Sequence, residues 1–296
     1  MGKYFHIQSI FITLLFVAIY FFLRKIPDQA CGLLHYEEVV NEKGEIEFCA
    51  VNEAGFLDLA VLESPIKVEL GIPEEWKAGA THDLFLCLKT LQNKVLYSQD
   101  IAITHTEKLH LMVIDEQMED YQHLHPKPSS KPGWWVVPFT PKYGGRYTLF
   151  LDLVPVKTRR QVIAQDFINV VGERAEKKVY TNFSRKDKEL KVRLILDEQE
   201  LQFNQNNEMV LQVEHPRGEP LALQKVMGDY SHLVAFDEMI HGIGHLHPIP
   251  TAKENNQKKA ELAFSFNTPN KGLYRIWVQL KVAGKERFYP FDLKVN

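Results

Sequence analysis

Cysteine is scarce in this sequence, and its spacing argues against one common kind of metal site. Only three cysteines occur in 296 residues, and none belongs to a Cys-x-x-Cys pair, so a thiolate zinc site of the usual spacing is not expected. Cys87 lies among alternating leucines, which predicts a small buried residue. Cys31 and Cys49 precede the patterned part of the chain, and they can form one disulfide if that part is exported.

An excess of positive charge and the common catalytic motifs are also missing. The 35 lysines and arginines are balanced by 38 aspartates and glutamates, so the net charge is −3 and nothing indicates a nucleic-acid partner. The chain contains no Gly-x-Ser-x-Gly, no His-Glu-x-x-His and no glycine-rich phosphate loop. We therefore expect a protein that is not an enzyme.

A long hydrophobic run occurs only at the start of the chain. It covers 14 residues, 10–23, and Arg24 and Lys25 close it. This length is short for a membrane span and long for the apolar part of a cleaved signal peptide. Because no convincing cleavage site follows, the pattern favours an uncleaved signal anchor over residues 1–26, with the membrane as partner of this helix. A cleaved peptide is the alternative.

The sequence does contain a duplicated histidine motif. Residues 110–126, HLMVIDEQMEDYQHLHP, recur 122 positions later as residues 232–248, HLVAFDEMIHGIGHLHP. In each copy a histidine is followed thirteen residues later by His-Leu-His-Pro, and an Asp-Glu pair falls at the same offset. The chain is therefore an internal duplication organised around this motif.

From about residue 64 onward, apolar residues alternate with polar ones in short runs, seven in each copy. This spacing predicts an all-β fold of two tandem immunoglobulin-like antiparallel β-sandwiches behind an N-terminal transmembrane helix. Tyr147 and Tyr274 follow matching Thr-Pro turns, and each hydroxyl is predicted to bond back to the corner backbone. The predicted boundaries are 1–26 for the anchor, 27–63 for a hairpin segment, 64–171 for the first repeat, 172–188 for a linker and 189–296 for the second repeat.

Each histidine motif is predicted to form a β-hairpin. In the first copy the expected register puts Met112 opposite His123 and His110 opposite His125, and the second copy follows the same register. Directly opposed side chains share a face of the sheet. Three imidazoles would then crowd one patch of each sheet.

Three neutral imidazoles at strand spacing suit a transition metal. The predicted ligands are the histidines of both motifs: His110, His123, His125, His232, His245 and His247. Candidate accessory ligands are His105 beside the first copy and Met227 and His241 beside the second. A thioether beside imidazoles favours copper, above all Cu(I), whereas carboxylate with imidazole leaves zinc or Cu(II) open. Copper is the expected cofactor, zinc the alternative, and the second copy the better copper candidate.

The residues of the motif also carry a resemblance. Met-Gly, then His-Leu-Val, an acidic turn and a closing His-x-His-Pro, all within residues 227–248, resemble a family of uncharacterised bacterial exported β-sandwich proteins. Some members lie alongside heavy-metal handling proteins, and the family is distantly similar to the FixH/YtkA class. The first copy lacks the Met-Gly. The resemblance implies an exported, metal-linked sandwich of unsettled activity, and it places the body on the periplasmic side of the cell membrane, although the flanking charges favour the opposite orientation.

Two hypotheses follow for the function. In the first, a membrane-anchored, extracytoplasmic protein binds copper through the histidine triples and acts in metal handling or delivery to a protein partner. In the second, the chain is a structural or interaction module whose histidines are scaffold, with Trp134-Trp135 offering a partner surface. Adjacent strand residues point to opposite faces, so one tryptophan is predicted to lie in the core and the other at the surface or rim.

Overall fold

The computed structural model describes residues 2–24, 36–40, 46–50, 55–196, 200–249 and 258–296. The chain divides into two compact units, Met1–Cys31 and Gly32–Asn296. The first unit contains helix α1, Gly2–Leu23. Its apolar run would extend only about 21 Å as a helix, whereas the hydrocarbon core of a bilayer is about 30 Å thick. Among the described residues no helix is long and apolar enough to cross a membrane, so the predicted transmembrane anchor is not supported.

The segment before the first repeat contains a hairpin and one further short strand. Strands β1 (Tyr36–Val40) and β2 (Ile46–Ala50) pair antiparallel. The predicted disulfide lies outside the described residues, as do Cys31 and the side chain of Cys49. Strand β3 (Leu57–Asp58) follows and joins a sheet of the second repeat, so the N-terminal segment contributes to the more distant of the two repeats.

The first repeat is built from two four-stranded antiparallel sheets. Its strands are β4 (Ile66–Gly71), β5 (His82–Thr90), β6 (His110–Asp115), β7 (Tyr121–Leu124), β8 (Lys127–Pro128), β9 (Trp134–Phe139), β10 (Gly145–Leu153) and β11 (Val162–Val170). A 3-10 turn, Ser98–Asp100, follows β5. The strand orders are β4-β5-β9-β8 and β11-β10-β6-β7. Leu86, Trp135 and Leu149 are among the side chains that fill the core between the sheets.

The second repeat has the same plan. Its strands are β12 (Ser184–Lys186), β13 (Lys191–Leu196), β14 (Asn207–Glu214), β15 (Leu223–Gln224), β16 (His232–Asp237), β17 (Gly242–Leu246), β18 (Lys259–Phe266), β19 (Gly272–Val282) and β20 (Lys285–Val295). One sheet has the order β12-β13-β14-β18, and the other has the order β15-β19-β16-β17-β3, with β20 paired to β19. Leu211, Phe264 and Ile276 pack between them. The predicted all-β fold of two antiparallel sandwiches is confirmed.

Both predicted tyrosine corners are present. In the first repeat the Tyr147 hydroxyl accepts a 3.0 Å hydrogen bond from the backbone N–H of Tyr143 and donates one of 2.9 Å to Asp120. In the second repeat the Tyr274 hydroxyl donates a 2.9 Å hydrogen bond to the carbonyl of Asn270. Each tyrosine therefore ties a strand to the turn that precedes it, as in immunoglobulin-like sandwiches.

Two smaller expectations about the core are confirmed. Trp135 is buried in the first sandwich, whereas Trp134 is only partly buried, with the Lys131 ammonium 4.0 Å from the centre of its ring. Cys87 is a buried free thiol in β5. Alternation along a strand therefore assigned the two tryptophans to their faces correctly, whereas Cys87 is buried although it alternates out of phase with the core leucines of its strand.

The two sandwiches pack against each other through the sheets that carry the histidine motifs. Along β6, Leu111 and Val113 belong to the core of the first sandwich, whereas Met112 and Ile114 face the second. A third apolar core lies between the sandwiches and includes Met112, Ile114, Phe150, Val234, Phe236 and Trp277. Since both faces of β6 are covered, every residue of this strand is buried.

A buried arginine also connects the sandwiches. The Arg275 side chain is 2% exposed and donates hydrogen bonds of 2.8 Å to Glu119 in the hairpin turn of the first repeat and 2.7 Å to Asp292 in β20. It donates a further bond of 2.7 Å to the carbonyl of Lys178, between the repeats, and the Tyr180 hydroxyl donates to Glu119. The guanidinium therefore joins both sandwiches and the connecting segment.

Candidate metal centre

The histidine hairpins have the predicted register. In the first, β6 pairs with β7 so that Met112 lies opposite His123. In the second, β16 pairs with β17 so that Val234 lies opposite His245. Because β6 and β16 direct alternate residues away from their own sandwich cores, His110 and His232 face the partner sandwich together with the apolar side chains of the third core.

The two histidine triples meet between the sandwiches. The ring centre of His245 lies 5.3 Å from that of His123, 5.7 Å from that of His110 and 5.6 Å from that of His232. The resulting histidine cluster contains His105, His110, His123, His125, His232, His245 and His247. Two predicted residues belong to neither of the two ligand groups that the cluster contains: His245, a predicted ligand, and His241, a candidate accessory ligand that is exposed in the β16–β17 turn.

Within the described residues the cluster separates into two groups of ligands. The first group is His110, His123 and His125, and the second group is His105, Asp229, His232 and His247. In each group one ligand atom per residue lies within 4.8 Å of the others. Imidazole nitrogens bound to one ion at about 2.0 to 2.1 Å lie roughly 3.3 to 3.6 Å apart, so the ligand atoms of each group must move closer together to bind one ion.

Each of the accessory residues His105 and Met227 lies beside histidines of the other repeat. His105 belongs to the first repeat but lies in the second group, where its ring stacks on that of His247 at 3.8 Å. Met227 belongs to the second repeat, but its Sδ lies 2.9 Å from Nε2 of His125 in the first group. The expectation that Met227 serves the histidines of its own copy is therefore wrong, because the facing sheets bring each turn over the partner's motif.

His105 and Met227 occupy equivalent positions in matching tight turns. Thr104 and Glu107 exchange backbone hydrogen bonds around the first turn, and Val226 and Asp229 do so around the second. His105 has φ of 49° and Met227 has φ of 51°, the left-handed region that costs a non-glycine residue about 1 to 2 kcal/mol. Strain of this kind clusters at functional sites.

Hydrogen bonds determine which ring nitrogens carry protons. His245 Nδ1 lies 3.1 Å from a carboxylate oxygen of Asp152, and His123 Nδ1 lies 3.0 Å from the amide oxygen of Gln279. The Gln279 amide nitrogen donates to Glu286, which orients its oxygen toward His123. Because these oxygens only accept, Nδ1 of both histidines is the donor and Nε2 of both carries a lone pair.

His110 has the opposite tautomer. Its Nε2 lies 2.9 Å from the carbonyl oxygen of Thr104, so Nε2 donates and Nδ1 carries the lone pair. These three lone pairs are buried, and among the described residues Nδ1 of His110 and Nε2 of His123 and His245 have no hydrogen-bond partner. Both ring nitrogens of His232 are also buried without a partner in the described part of the chain.

Burial favours the neutral form of six imidazoles of the cluster. It lowers the pKa of His110 to about 3 and, together with the charge of Lys127, lowers the pKa of His125 to about 4. Burial, reinforced by neighbouring imidazoles, also lowers the pKa well below its usual value for His105, His123, His232 and His247. Neutral imidazole is the form that binds metals.

Asp152 is the buried anion of the cluster. Burial by itself would raise the pKa of its carboxyl group, but hydrogen bonds from His245 and Gln161 hold the pKa below its usual value. Asp152 and Asp229 were not among the predicted site residues, and neither was Gln279. For Asp152 and Gln279 the available signal was a polar residue at an outward position of an otherwise apolar strand, as in RYTLFLDL and LYRIWVQLKV.

No curated protein matches the chain. Among solved structures the chain is similar to fibronectin(III)-like modules of Clostridium thermocellum CbhA, at 12% identity over 77% of this chain and 94% of that chain, TM-score 0.21. It is also similar to a DUF4785 family protein of Legionella pneumophila, at 11% identity over 77% of this chain and 55% of that chain, TM-score 0.25. A third similar structure is the ICAM-5 D1-D4 ectodomain fragment, at 10% identity over 79% of this chain and 54% of that chain, TM-score 0.24. The chain thus spans about half of these last two proteins. At such values the likenesses carry no argument about function.

A sequence family described as a domain of unknown function, DUF8832, matches residues 62–172 and again residues 185–296. The tandem match confirms the internal duplication that the repeated motif predicts. It does not extend to the FixH/YtkA class or to an association with heavy metals, and both stay predictions. Since the two matches cover most of the sequence, the chain belongs to the DUF8832 family and carries two copies of its domain.

Proposed function

We propose that the histidine cluster binds transition-metal ions between the two sandwiches, with copper as the expected metal and zinc as the alternative. The observation that carries this proposal is the set of three buried lone pairs on His110, His123 and His245, each fixed by a hydrogen bond at the other ring nitrogen. Lone pairs cannot satisfy one another, whereas a metal cation accepts lone pairs. Those of His110 and His123 lie in the first group, and that of His245 lies between the two groups.

Energetics support this interpretation. A buried polar atom without a partner costs about 1 to 3 kcal/mol, so a cluster with several such nitrogens is expensive unless something binds there. Ordered water could donate to the same lone pairs, and for this reason a measured metal affinity is the deciding quantity. The strained turns that aim His105 and Met227 at the partner's motif favour a ligand over water.

We assign the metal to handling or delivery and not to catalysis. Each group has three imidazoles and one further donor nearby, Met227 beside the first and Asp229 in the second, which matches a closed four-ligand site. His105, His125 and His247 are only partly buried, so ions can enter and leave at this rim. An extracytoplasmic body and transfer to another metal-handling protein complete the proposal, on the ground of the resemblance given above.

The alternative function, a scaffold or interaction module, is favoured by a different observation. The hydrogen bonds from His123 to Gln279 and from His245 to Asp152 cross between the sandwiches without any ion. In that case the histidines hold the two repeats together, and removing one lowers the stability of the metal-free protein.

Titration calorimetry and elemental analysis of the full-length protein with Cu(I), Cu(II) and Zn(II) test the proposal. We expect a dissociation constant tighter than about 10 μM, roughly −7 kcal/mol, for copper or zinc. His125→Ala should weaken binding at least tenfold while leaving metal-free unfolding unchanged, because His125 lies at the rim. His241→Ala, which removes an exposed histidine, is the matched control.

Weaker binding than about 10 μM for all three ions would contradict metal binding as the function. A loss of metal-free stability in His125→Ala with unchanged metal affinity would favour the scaffold.

A further inference from the structure

We propose that the cluster holds two chemically different metal sites, a soft site for Cu(I) at the first group with Met227 and a harder site for a divalent ion such as Zn(II) at the second group. This inference rests on the proposed function, because both require the cluster to bind metal. Beyond that function, the two copies of the motif bind different ions, and a residue of the other repeat completes each site.

The first group offers only neutral donors. His110, His123 and His125 supply imidazoles, and the Met227 thioether lies 2.9 Å from Nε2 of His125. Met227 is 8% exposed, so its sulfur faces the cluster and not solvent. Thioether and imidazole together favour Cu(I), and an ion of single charge also costs less to hold among buried neutral ligands than a divalent ion does.

The second group contains an anion. Oδ2 of Asp229 lies 3.5 Å from Nδ1 of His247, and His105 and His232 complete the set. A carboxylate with three imidazoles is a donor set typical of Zn(II) or Cu(II), because the negative charge offsets part of the second positive charge.

The matching turns show that this difference lies in side-chain chemistry and not in backbone shape. His105 and Met227 share nearly the same φ, so one turn presents an imidazole where the other presents a thioether. The position equivalent to Asp229 is Glu107, whose carboxylate forms an ion pair with Lys127. The carboxylate of the first repeat is thus neutralised by a lysine, whereas that of the second approaches a histidine of its group.

The outer hydrogen bonds are also unequal. The equivalent positions Asp152 and Gln279 each accept from the central histidine of the other repeat, one as a carboxylate and the other as an amide. His245 lies between the groups, with its ring centre 4.7 Å from that of His247 and 5.3 Å from that of His123. The acceptor of His245 is thus charged and that of His123 is neutral, and a negative charge on the side of His247 favours a divalent ion there.

The test loads the full-length protein anaerobically with Cu(I) and Zn(II) together and measures both metals per chain. We expect one copper and one zinc in the same molecule, and a sulfur neighbour of copper at about 2.3 Å in X-ray absorption. Met227→Leu should weaken Cu(I) binding at least tenfold, abolish the sulfur signal and leave zinc unchanged. Asp229→Asn should weaken Zn(II) binding at least tenfold and leave copper unchanged.

Matched controls are Met239→Leu and Asp83→Asn, which make the same chemical changes at exposed positions away from the cluster. Metal binding without this selectivity, in which both variants weaken both ions equally or copper has no sulfur neighbour, overturns the two-site inference and leaves the proposed function standing. No binding of either metal overturns the proposed function itself.

Discussion

His245 of the second repeat donates a 3.1 Å hydrogen bond to Asp152 of the first, across the boundary between the two sandwiches. The mirrored contact joins His123 of the first repeat to Gln279 of the second at 3.0 Å. Asp152 pairs with His110 across neighbouring strands, and Gln279 pairs with His232 in the same way. Each repeat therefore orients an imidazole of the other.

We expect Asp152→Asn to weaken metal binding by about 10- to 100-fold, the usual effect of losing an outer carboxylate that orients a histidine ligand. The asparagine keeps the shape of the side chain and an acceptor oxygen, but it loses the negative charge beside His245. Competition titration with Cu(I) and Zn(II) measures the change. Asp83→Asn, at an exposed position, should have no effect, and equal affinity of both variants would refute this role for Asp152.

The stability of the metal-free protein should fall as pH drops below about 6.5, the usual pKa of an unfolded histidine. Because burial lowers the pKa of His110 to about 3, the unfolded state binds the proton more tightly than the folded state between these values. Stability is therefore complete well above pH 6.5 and is lost progressively toward pH 3, by about 1.4 kcal/mol for His110 at pH 5.5. Urea unfolding at several pH values measures the slope.

In that experiment His110→Gln should reduce the pH slope, whereas His241→Gln, an exposed position, should retain it. A metal-free protein whose stability is constant between pH 7.5 and 5 would show that the cluster does not stay neutral in the folded state.

Arg275→Met should destabilise the protein by about 3 to 5 kcal/mol, because it leaves the buried carboxylate of Glu119 and that of Asp292 without their cation. Urea unfolding followed by circular dichroism gives the change. Arg217→Met breaks an exposed ion pair with Glu219 and should alter stability by less than about 0.5 kcal/mol. Similar losses for both arginines would mean that Arg275 does not connect the sandwiches.

Metal should stabilise both sandwiches together, because each group is completed by a residue of the other repeat. A free ion concentration of one hundred times the dissociation constant should raise the free energy of unfolding by about 2.7 kcal/mol for each site. Circular dichroism and tryptophan fluorescence, to which Trp277 between the sandwiches contributes, should report one coincident transition.

His105→Gln removes from the second group the one ligand that the first repeat supplies. This variant should lower the increase in the free energy of unfolding that zinc causes and leave unchanged the increase that copper causes. If metal shifts the unfolding of only one sandwich, the ions do not bridge the repeats.

Much of the fold was predictable because a strand has a local sequence signal, the alternation of apolar and polar residues. Alternation at period two located the strands of both repeats, and the spacing of the histidine motif gave a register that β6 and β7 confirm, with Met112 opposite His123. The corner tyrosines Tyr147 and Tyr274 were equally readable, since each bonds to a residue four positions earlier. These features depend on neighbours in sequence.

The N-terminal segment contains a strand whose sheet the alternating pattern could not predict. Alternating patterns predict strands wherever they occur, but they do not state which sheet a short strand will join. Leu57 and Asp58 precede the first repeat, yet they extend a sheet of the second, because β17 presents an open edge to them.

The sequence by itself determined the duplication, the two sandwiches and the six motif histidines. Only the tertiary structure decided that the two motifs face each other and that His105 and Met227 each lie beside the motif of the other repeat. It also placed Asp152, Gln279 and Asp229 next to the histidines. Both faces of β6 are buried in the structure. Which surface covers the outer face depends on packing between segments more than a hundred residues apart, and no local periodicity encodes that partner.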